Sequence, residues 1–156
     1  FKYGYDRFFA RCASAGISGI IVPDMPLEEK GEVADIAAAH GVDVISLIAP
    51  TSKERIAKIA KSATGYIYIV SSMGVTGMRS EITTDLESIV RVVKENTSVP
   101  AAIGFGINTP EQAKKYAGIA DGVIVGSAIV KIIEKYGENA AEPVYNYVKE
   151  MADAVK

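Results

Sequence analysis

The sequence has little of what several protein classes require. Its 156 residues include no tryptophan, one cysteine and one histidine. One cysteine cannot form an internal disulfide, so the sequence predicts a reducing, cytoplasmic compartment. No apolar run approaches the roughly 20 residues of a membrane helix, and no signal-peptide pattern opens the chain. A formal net charge of −2 gives no reason to expect nucleic acid or an anionic membrane as a partner.

What remains is the composition of one globular domain. Hydrophobic residues make up 49% of the chain and charged residues 23%, which excludes a disordered tail. We find no linker or shift in composition, so we expect a single domain over residues 1–156. Because the first residue is Phe1 and not methionine, we expect a processed, truncated or partial polypeptide.

Short β-rich runs alternate with longer segments of helical spacing. The predicted strands are apolar on both faces, as buried parallel strands are, and lie at residues 17–23, 43–49, 65–71, 99–107 and 122–125. Capping patterns predict three helix starts, at 51–54, 84–87 and 109–112. A short helix at 127–136 and a final helix from about residue 142 follow the last strand.

One helix followed by five βα units predicts an α/β fold with a parallel sheet. A (β/α)8 TIM barrel uses about 250 residues for eight units, or roughly 31 per unit. At that rate this chain holds about five units. A partial barrel of five units and a complete doubly wound domain both fit this count.

Two glycine turns near the end of the chain are candidates for binding phosphate. Gly106 lies in the segment 104–107 that closes one predicted strand, and Gly126 and Ser127 follow the next strand and open a short helix. Glycine exposes backbone N–H groups, and a helix N-terminus favours an anion. TIM barrels often bind phosphate at these last loops. The alternative is that the glycines only permit tight turns and that Ser127 is a plain N-cap.

The sequence gives weaker support for a functional role of the other candidate residues. The segment 71–80 has no helical or strand period and is interpreted as a lid, with an ordinary polar loop as the alternative. Asp24 follows a strand, where a carboxylate is a candidate general base or ligand. Because no partner acid is found, a role in orienting the lid is preferred, with a helix cap as the alternative. Tyr66 and Tyr68 share a face of their strand. Cys12 is expected to be a buried hydrophobe and His40 a helix C-terminal residue, and no cluster has metal-ligand spacing.

Four motifs, in this order and spacing, resemble the α subunit of tryptophan synthase. They are Val22-Pro23-Asp24-Met25-Pro26, Gly74-Val75-Thr76-Gly77, Gly104-Phe105-Gly106-Ile107 and Gly126-Ser127-Ala128-Ile129-Val130. The resemblance covers the whole chain. It implies a TIM barrel, with this chain as the C-terminal portion from about strand 4 to strand 8. It also implies a lyase of tryptophan biosynthesis, which cleaves indole-3-glycerol phosphate to indole and glyceraldehyde 3-phosphate without a cofactor of its own.

The resemblance implies a role for each matching residue. The phosphate-binding residues would be Gly77, Gly106, Gly126 and Ser127. The indole pocket would be lined by Leu47, Tyr68 and Phe105. Thr76 would close the lid, and Asp24 would help to set it.

The resemblance also implies an absence and a partner. The catalytic Glu and Asp of the family come from its second strand and the following loop, which would lie upstream of Phe1. We therefore expect no catalytic residue in this chain and no activity from it alone. The family partner is the pyridoxal-phosphate β subunit. The alternatives are another phosphate-binding barrel, such as a ribulose-phosphate epimerase or an indole-glycerol-phosphate synthase, and a non-catalytic half-barrel that serves in binding or assembly.

Overall fold

The computed structural model describes residues 2–70, 85–104 and 106–156, in which helices and strands alternate. The strands are β1 Gly19–Ile21, β2 Asp43–Ile48, β3 Ile67–Val70, β4 Ala101–Gly104 and β5 Gly122–Val123. The helices are α1 Tyr5–Ser14, α2 Gly31–Ala39, α3 Lys53–Lys61, α4 Leu86–Asn96, α5 Pro110–Ala117, α6 Ser127–Tyr136 and α7 Ala141–Ala154. Two 3-10 turns, Leu27–Glu29 and Gly137–Asn139, precede α2 and α7. Across the described ranges, no helix is long and apolar enough to cross a membrane.

The order of the strands decides between the two predicted folds. All neighbouring strands are parallel, and their order in the sheet, β1-β2-β3-β4-β5, follows the sequence. A doubly wound sheet reverses its strand order at a switch point, whereas a barrel adds each strand beside the one before it. The described strands therefore form part of a (β/α)8 barrel, and the doubly wound alternative is wrong.

One face of the sheet is sealed by the helices. Ile48, Ile67, Ile69 and Ile103 point to this face and are fully buried. They belong to one hydrophobic cluster with apolar side chains of α3 and α4, namely Ile56, Ile59, Leu86, Ile89, Val90 and Val93. Each such side chain contributes roughly 1.5–3 kcal/mol on burial. This cluster fixes the positions of the central strands and so of the loops that follow them.

A second, smaller cluster joins α1 and α2 to the sheet. Phe9 and Cys12 of α1 pack with Val33 of α2 and Val44 of β2. The Cys12 thiol is free and only 5% exposed, which confirms it as a small buried hydrophobe.

The helix starts confirm one capping prediction and correct another. Thr109 and Gln112 form the complete capping box of α5. At α3 the cap is Ser52 and not Thr51, since the Ser52 hydroxyl accepts from the Arg55 amide. At α4 the Asp85 carboxylate accepts from the Ser88 amide. The cap of α4 is therefore Asp85 and not the predicted Thr84, which itself lies outside the described residues.

Asp121 ties the beginnings of two strands to α4, and its removal is expected to destabilise the fold. Its carboxylate accepts from the buried Ala101 amide at 2.9 Å and from the Lys94 ammonium at 3.3 Å. Asp121→Ala leaves that amide without its acceptor, which costs about 1–2 kcal/mol. Urea denaturation would measure this loss. Asp153, an exposed carboxylate paired with Lys156, is the matched control, and Asp153→Ala is expected to change little.

The same contacts predict how stability depends on pH. The Ala101 amide, followed by the Lys94 ammonium, holds the pKa of Asp121 below its ordinary value. The ionised carboxylate therefore stabilises the fold at pH values above the unfolded pKa, and this contribution is lost as the pH falls through the folded pKa. Asp121→Asn should remove this acid-dependent part. An equal acid dependence in the wild type and in this variant would contradict the assignment.

Candidate functional site

The predicted site residues lie along one edge of the sheet. Parallel strands end at the same edge, which is where α/β proteins bind ligands. Leu47 is the last residue but one of β2, and Gly106 and Gly126 follow β4 and β5. Tyr68 is the second residue of β3, and its side chain reaches Gly104, the last residue of β4. Asp24 follows β1 in an exposed turn.

The strand register places Leu47 and Tyr68 side by side on the face opposite the helices. Leu47 pairs with Tyr68, Tyr68 with Ala102, and Ala102 with Gly122. All four are half-buried, in contrast to the sealed isoleucines of the helix-facing side. A half-buried row of this kind, which crosses four neighbouring strands, can accommodate a flat apolar ligand.

Gly104 and the Tyr68 side chain are in very close contact. A Cβ atom placed on Gly104 would lie 2.3 Å from the Tyr68 Oη and 2.5 Å from its Cζ. Only glycine leaves room for the ring at this point. The sequence does not indicate this role of Gly104, because it depends on Tyr68, a diagonal neighbour on another strand.

Burial also affects the chemistry of Tyr68. Desolvation, and secondarily the nearby Tyr66, raises the pKa of the Tyr68 phenol above its ordinary value. The hydroxyl therefore stays protonated at neutral pH and can donate a hydrogen bond. It is not a phenolate base under those conditions.

The loop after β4 turns at Gly106 in a conformation that favours glycine. Its φ is +83°, in the left-handed region. The Asn108 side-chain amide donates to the Gly106 carbonyl at 2.7 Å, and the Asn108 backbone amide donates to the Gln112 side chain at 2.9 Å. These bonds join the loop to the first turn of α5.

The turn after β5 leaves open space directly before α6. Gly126 is the N-cap, with a φ of −122°, and a Cβ on it would meet nothing within 4 Å. Ser127 is the first helical residue and caps nothing, so the interpretation of Ser127 as an N-cap is wrong. The first N–H groups of a helix lack carbonyl partners within the helix and carry its positive dipole end. An anion could be bound by these amides.

Asp24 does not cap a helix either. The 3-10 turn after it, Leu27–Glu29, has Pro26 as its N-cap, and α2 has Lys30, with no side-chain cap in either case. The capping alternative for Asp24 is therefore wrong, and its predicted role in setting the lid stays a prediction.

A cavity of about 400 Å³ lies between the connection after β1 and the end of β2. Pro23, Met25, Leu47 and Val70 line it, and its volume is in the range of small-molecule sites. Lys30, which no sequence motif singled out, also lines the cavity. The Lys30 ammonium donates to the Ser46 hydroxyl and the Ser62 carbonyl, each at 2.9 Å. Burial lowers the pKa of Lys30, and Asp43 opposes that shift.

Three of the predicted residues lie outside the described part of the chain. They are Thr76 and Gly77 of the predicted lid, and Phe105 of the predicted indole pocket. Within the described part, no group of three or more His, Cys, Asp or Glu side chains could hold a metal ion.

Comparison with known sequences finds one family. A family model for the tryptophan synthase alpha chain matches residues 1–156. The alpha chain of Lacticaseibacillus casei is 52% identical over 155 residues, which are 99% of this chain and 58% of the relative. The alpha chain of Caldanaerobacter subterraneus is 51% identical over 142 residues, which are 91% of this chain and 54% of the relative. The chain thus spans less than three fifths of the curated relatives' length.

Solved structures give the same family. A mutant tryptophan synthase alpha subunit from Pyrococcus furiosus is 33% identical, with a TM-score of 0.83, and the match covers 97% of this chain and 62% of that chain. Tryptophan synthase from Mycobacterium tuberculosis is 34% identical, with a TM-score of 0.86, and the match covers 99% of this chain and 58% of that chain.

Proposed function

This chain belongs to the tryptophan synthase alpha chain family, and from that premise we propose that it carries the substrate-binding half of an indole-3-glycerol phosphate lyase. The reaction is a retro-aldol cleavage to indole and glyceraldehyde 3-phosphate, within tryptophan biosynthesis in the cytoplasm. The observation that most supports the proposal is the shared carboxyl end of the parallel strands, where the Tyr68 hydroxyl lies against Gly104 and the glycine turns at Gly106 and Gly126 follow β4 and β5.

The phosphate end of the substrate is assigned to the last two loops and the lid. Gly106, Gly126 and Ser127 would donate backbone amides, with Gly77 of the lid nearby. The support comes from the left-handed turn at Gly106 and from the open space at Gly126 before α6. Both features let an anion approach backbone N–H groups closely.

The indole end is assigned to the row beside those turns. Leu47, Tyr68 and Phe105 would line the pocket, with Tyr68 at the reacting end as a neutral hydrogen-bond donor. Thr76 would close the lid over the substrate, and Asp24 would help to set it. The assignment of Leu47 and Tyr68 to one pocket is supported by the strand register, in which they are direct neighbours.

The proton transfers require groups that these 156 residues do not supply. Cleavage needs an acid at indole C3 and a base at a substrate hydroxyl. We assign both to the family Glu and Asp, whose strands are not among those described here. The partner would be the pyridoxal-phosphate β subunit, which receives the indole. The alpha-type reaction would need no metal or organic cofactor on this chain.

An assay of indole release tests the proposal. The polypeptide of these 156 residues alone is expected to release no indole from indole-3-glycerol phosphate, because it lacks the acid and the base. Adding the N-terminal portion of the Lacticaseibacillus casei alpha chain as a separate polypeptide is expected to restore release. Indole formed by the 156 residues alone would contradict the assignment of the missing acids. No indole from a mixture that co-elutes on a sizing column would contradict the lyase assignment.

A further inference from the structure

The loop that carries Gly106 is held in place through Asn108. The Asn108 side chain donates to the Gly106 carbonyl at 2.7 Å, which restricts rotation of the backbone at Gly106. The Asn108 backbone amide donates to the Gln112 side chain, so the start of α5 holds the same residue from the other side. The orientation of the loop therefore depends on the position of Asn108.

A tyrosine of the last helix also contacts Asn108. The Tyr147 hydroxyl, on α7, donates to the Asn108 carbonyl at 2.9 Å, across 39 residues of sequence. The Tyr147 ring packs against the larger hydrophobic cluster, and burial raises the pKa of its phenol. The hydroxyl therefore remains a donor at neutral pH, on a ring that the core holds in place.

We propose that Tyr147 is a positioning residue for phosphate binding, because its hydroxyl fixes Asn108 and Asn108 fixes the Gly106 turn. This inference rests on the proposed function, in which Gly106 binds the substrate phosphate. It adds that α7, which contributes no residue to the assigned phosphate site, determines how well the Gly106 loop is ordered before phosphate binds. Preorganised donors bind an anion more tightly than donors that must first be ordered.

The test removes one oxygen from Tyr147 in the natural polypeptide that carries these residues, at its native length. Binding of inorganic phosphate is measured by titration calorimetry at a temperature well below the unfolding transition. Tyr147→Phe is expected to weaken binding about three- to tenfold, the range available to one neutral hydrogen bond. Tyr145→Phe is the matched control. It removes the same atom from the same helix, at a side chain that is 65% exposed, and should change the Kd by less than about twofold.

Kinetics separate positioning from simple stabilisation. The phosphate is remote from the bond that breaks, so Tyr147→Phe should raise the KM for indole-3-glycerol phosphate and leave kcat nearly unchanged. A lower unfolding temperature with an unchanged Kd and KM would overturn the positioning role. If the wild type binds phosphate and Tyr147→Phe binds it equally well, only this inference is overturned. A wild-type protein that binds no phosphate overturns the proposed phosphate site as well.

Discussion

Gly126→Asp is expected to weaken binding of phosphate esters at least a hundredfold without unfolding the protein. The new carboxylate would lie at the N-terminus of α6, in the space assigned to the phosphate. Two like charges roughly 5 Å apart at an effective dielectric of about 20 repel by about 3 kcal/mol, which exceeds the cost of a hundredfold loss. The fold should persist because a Cβ at this position meets nothing within 4 Å and because aspartate is a favourable N-cap. Calorimetric titration with inorganic phosphate measures the effect.

Gly126→Asn is the control that isolates the charge. Asparagine has nearly the same size as aspartate and caps helices equally well, but it carries no charge. It should retain most of the phosphate affinity that Gly126→Asp loses, and both variants should unfold at temperatures close to that of the wild type. Equal losses in the two variants would attribute the effect to bulk. Unchanged affinity in Gly126→Asp would mean that the phosphate binds elsewhere.

The second large effect is expected at Gly104. A methyl group there would overlap the Tyr68 ring, with its nearest atom 2.3 Å away. Either the ring leaves its rotamer or β3 and β4 move apart, and overpacking of this kind costs about 1–3 kcal/mol. Gly104→Ala is thus expected to lower the free energy of unfolding by that amount. If the proposed function holds, it should also slow indole release by the natural polypeptide that carries these residues, because the Tyr68 hydroxyl is displaced. Urea denaturation and the indole assay measure the two consequences.

Two further variants distinguish this steric clash from a general intolerance of larger side chains in these strands. Gly122 lies on β5, where an added Cβ would be 3.7 Å from its nearest neighbour, so Gly122→Ala should cost much less. Tyr68→Val removes the ring. In that background Gly104→Ala should cost almost nothing, which is the coupling that a double-mutant cycle detects. The same loss of stability with or without the ring would contradict the steric explanation.

Local patterns predicted most of the fold. The limits of α6, Ser127 to Tyr136, and the capping box of α5 depend on residues close in sequence and were predicted correctly. The start of α3 was misplaced by one residue because Thr51 and Ser52 are both good caps. Periodicity alone left the barrel and the doubly wound sheet equally possible. The order of the strands in space was needed to decide between them.

Less of the candidate site could be predicted, for a physical reason. Gly106 and Gly126 were predicted from glycine turns at the ends of strands, and the roles of Leu47 and Tyr68 were implied by the family resemblance. The contact between Tyr68 and Gly104 and the bond from Tyr147 to Asn108 were not identified. Each joins residues more than thirty positions apart, and their approach depends on strand register and helix packing. Such supporting contacts leave no pattern in a single sequence.

The division of the core into two clusters gives the chain a built-in reporter of local motion. Val44 and Ile48 lie on the same face of β2, yet they belong to different clusters, so this strand is where the two meet. Segments with separate cores can open separately, with opening energies below that of global unfolding. The single thiol, Cys12, is sealed in the smaller cluster. The rate at which Cys12 is alkylated therefore measures how often α1 separates from α2 and β2. Amide hydrogen exchange in β3 and β4 measures how often the larger cluster opens.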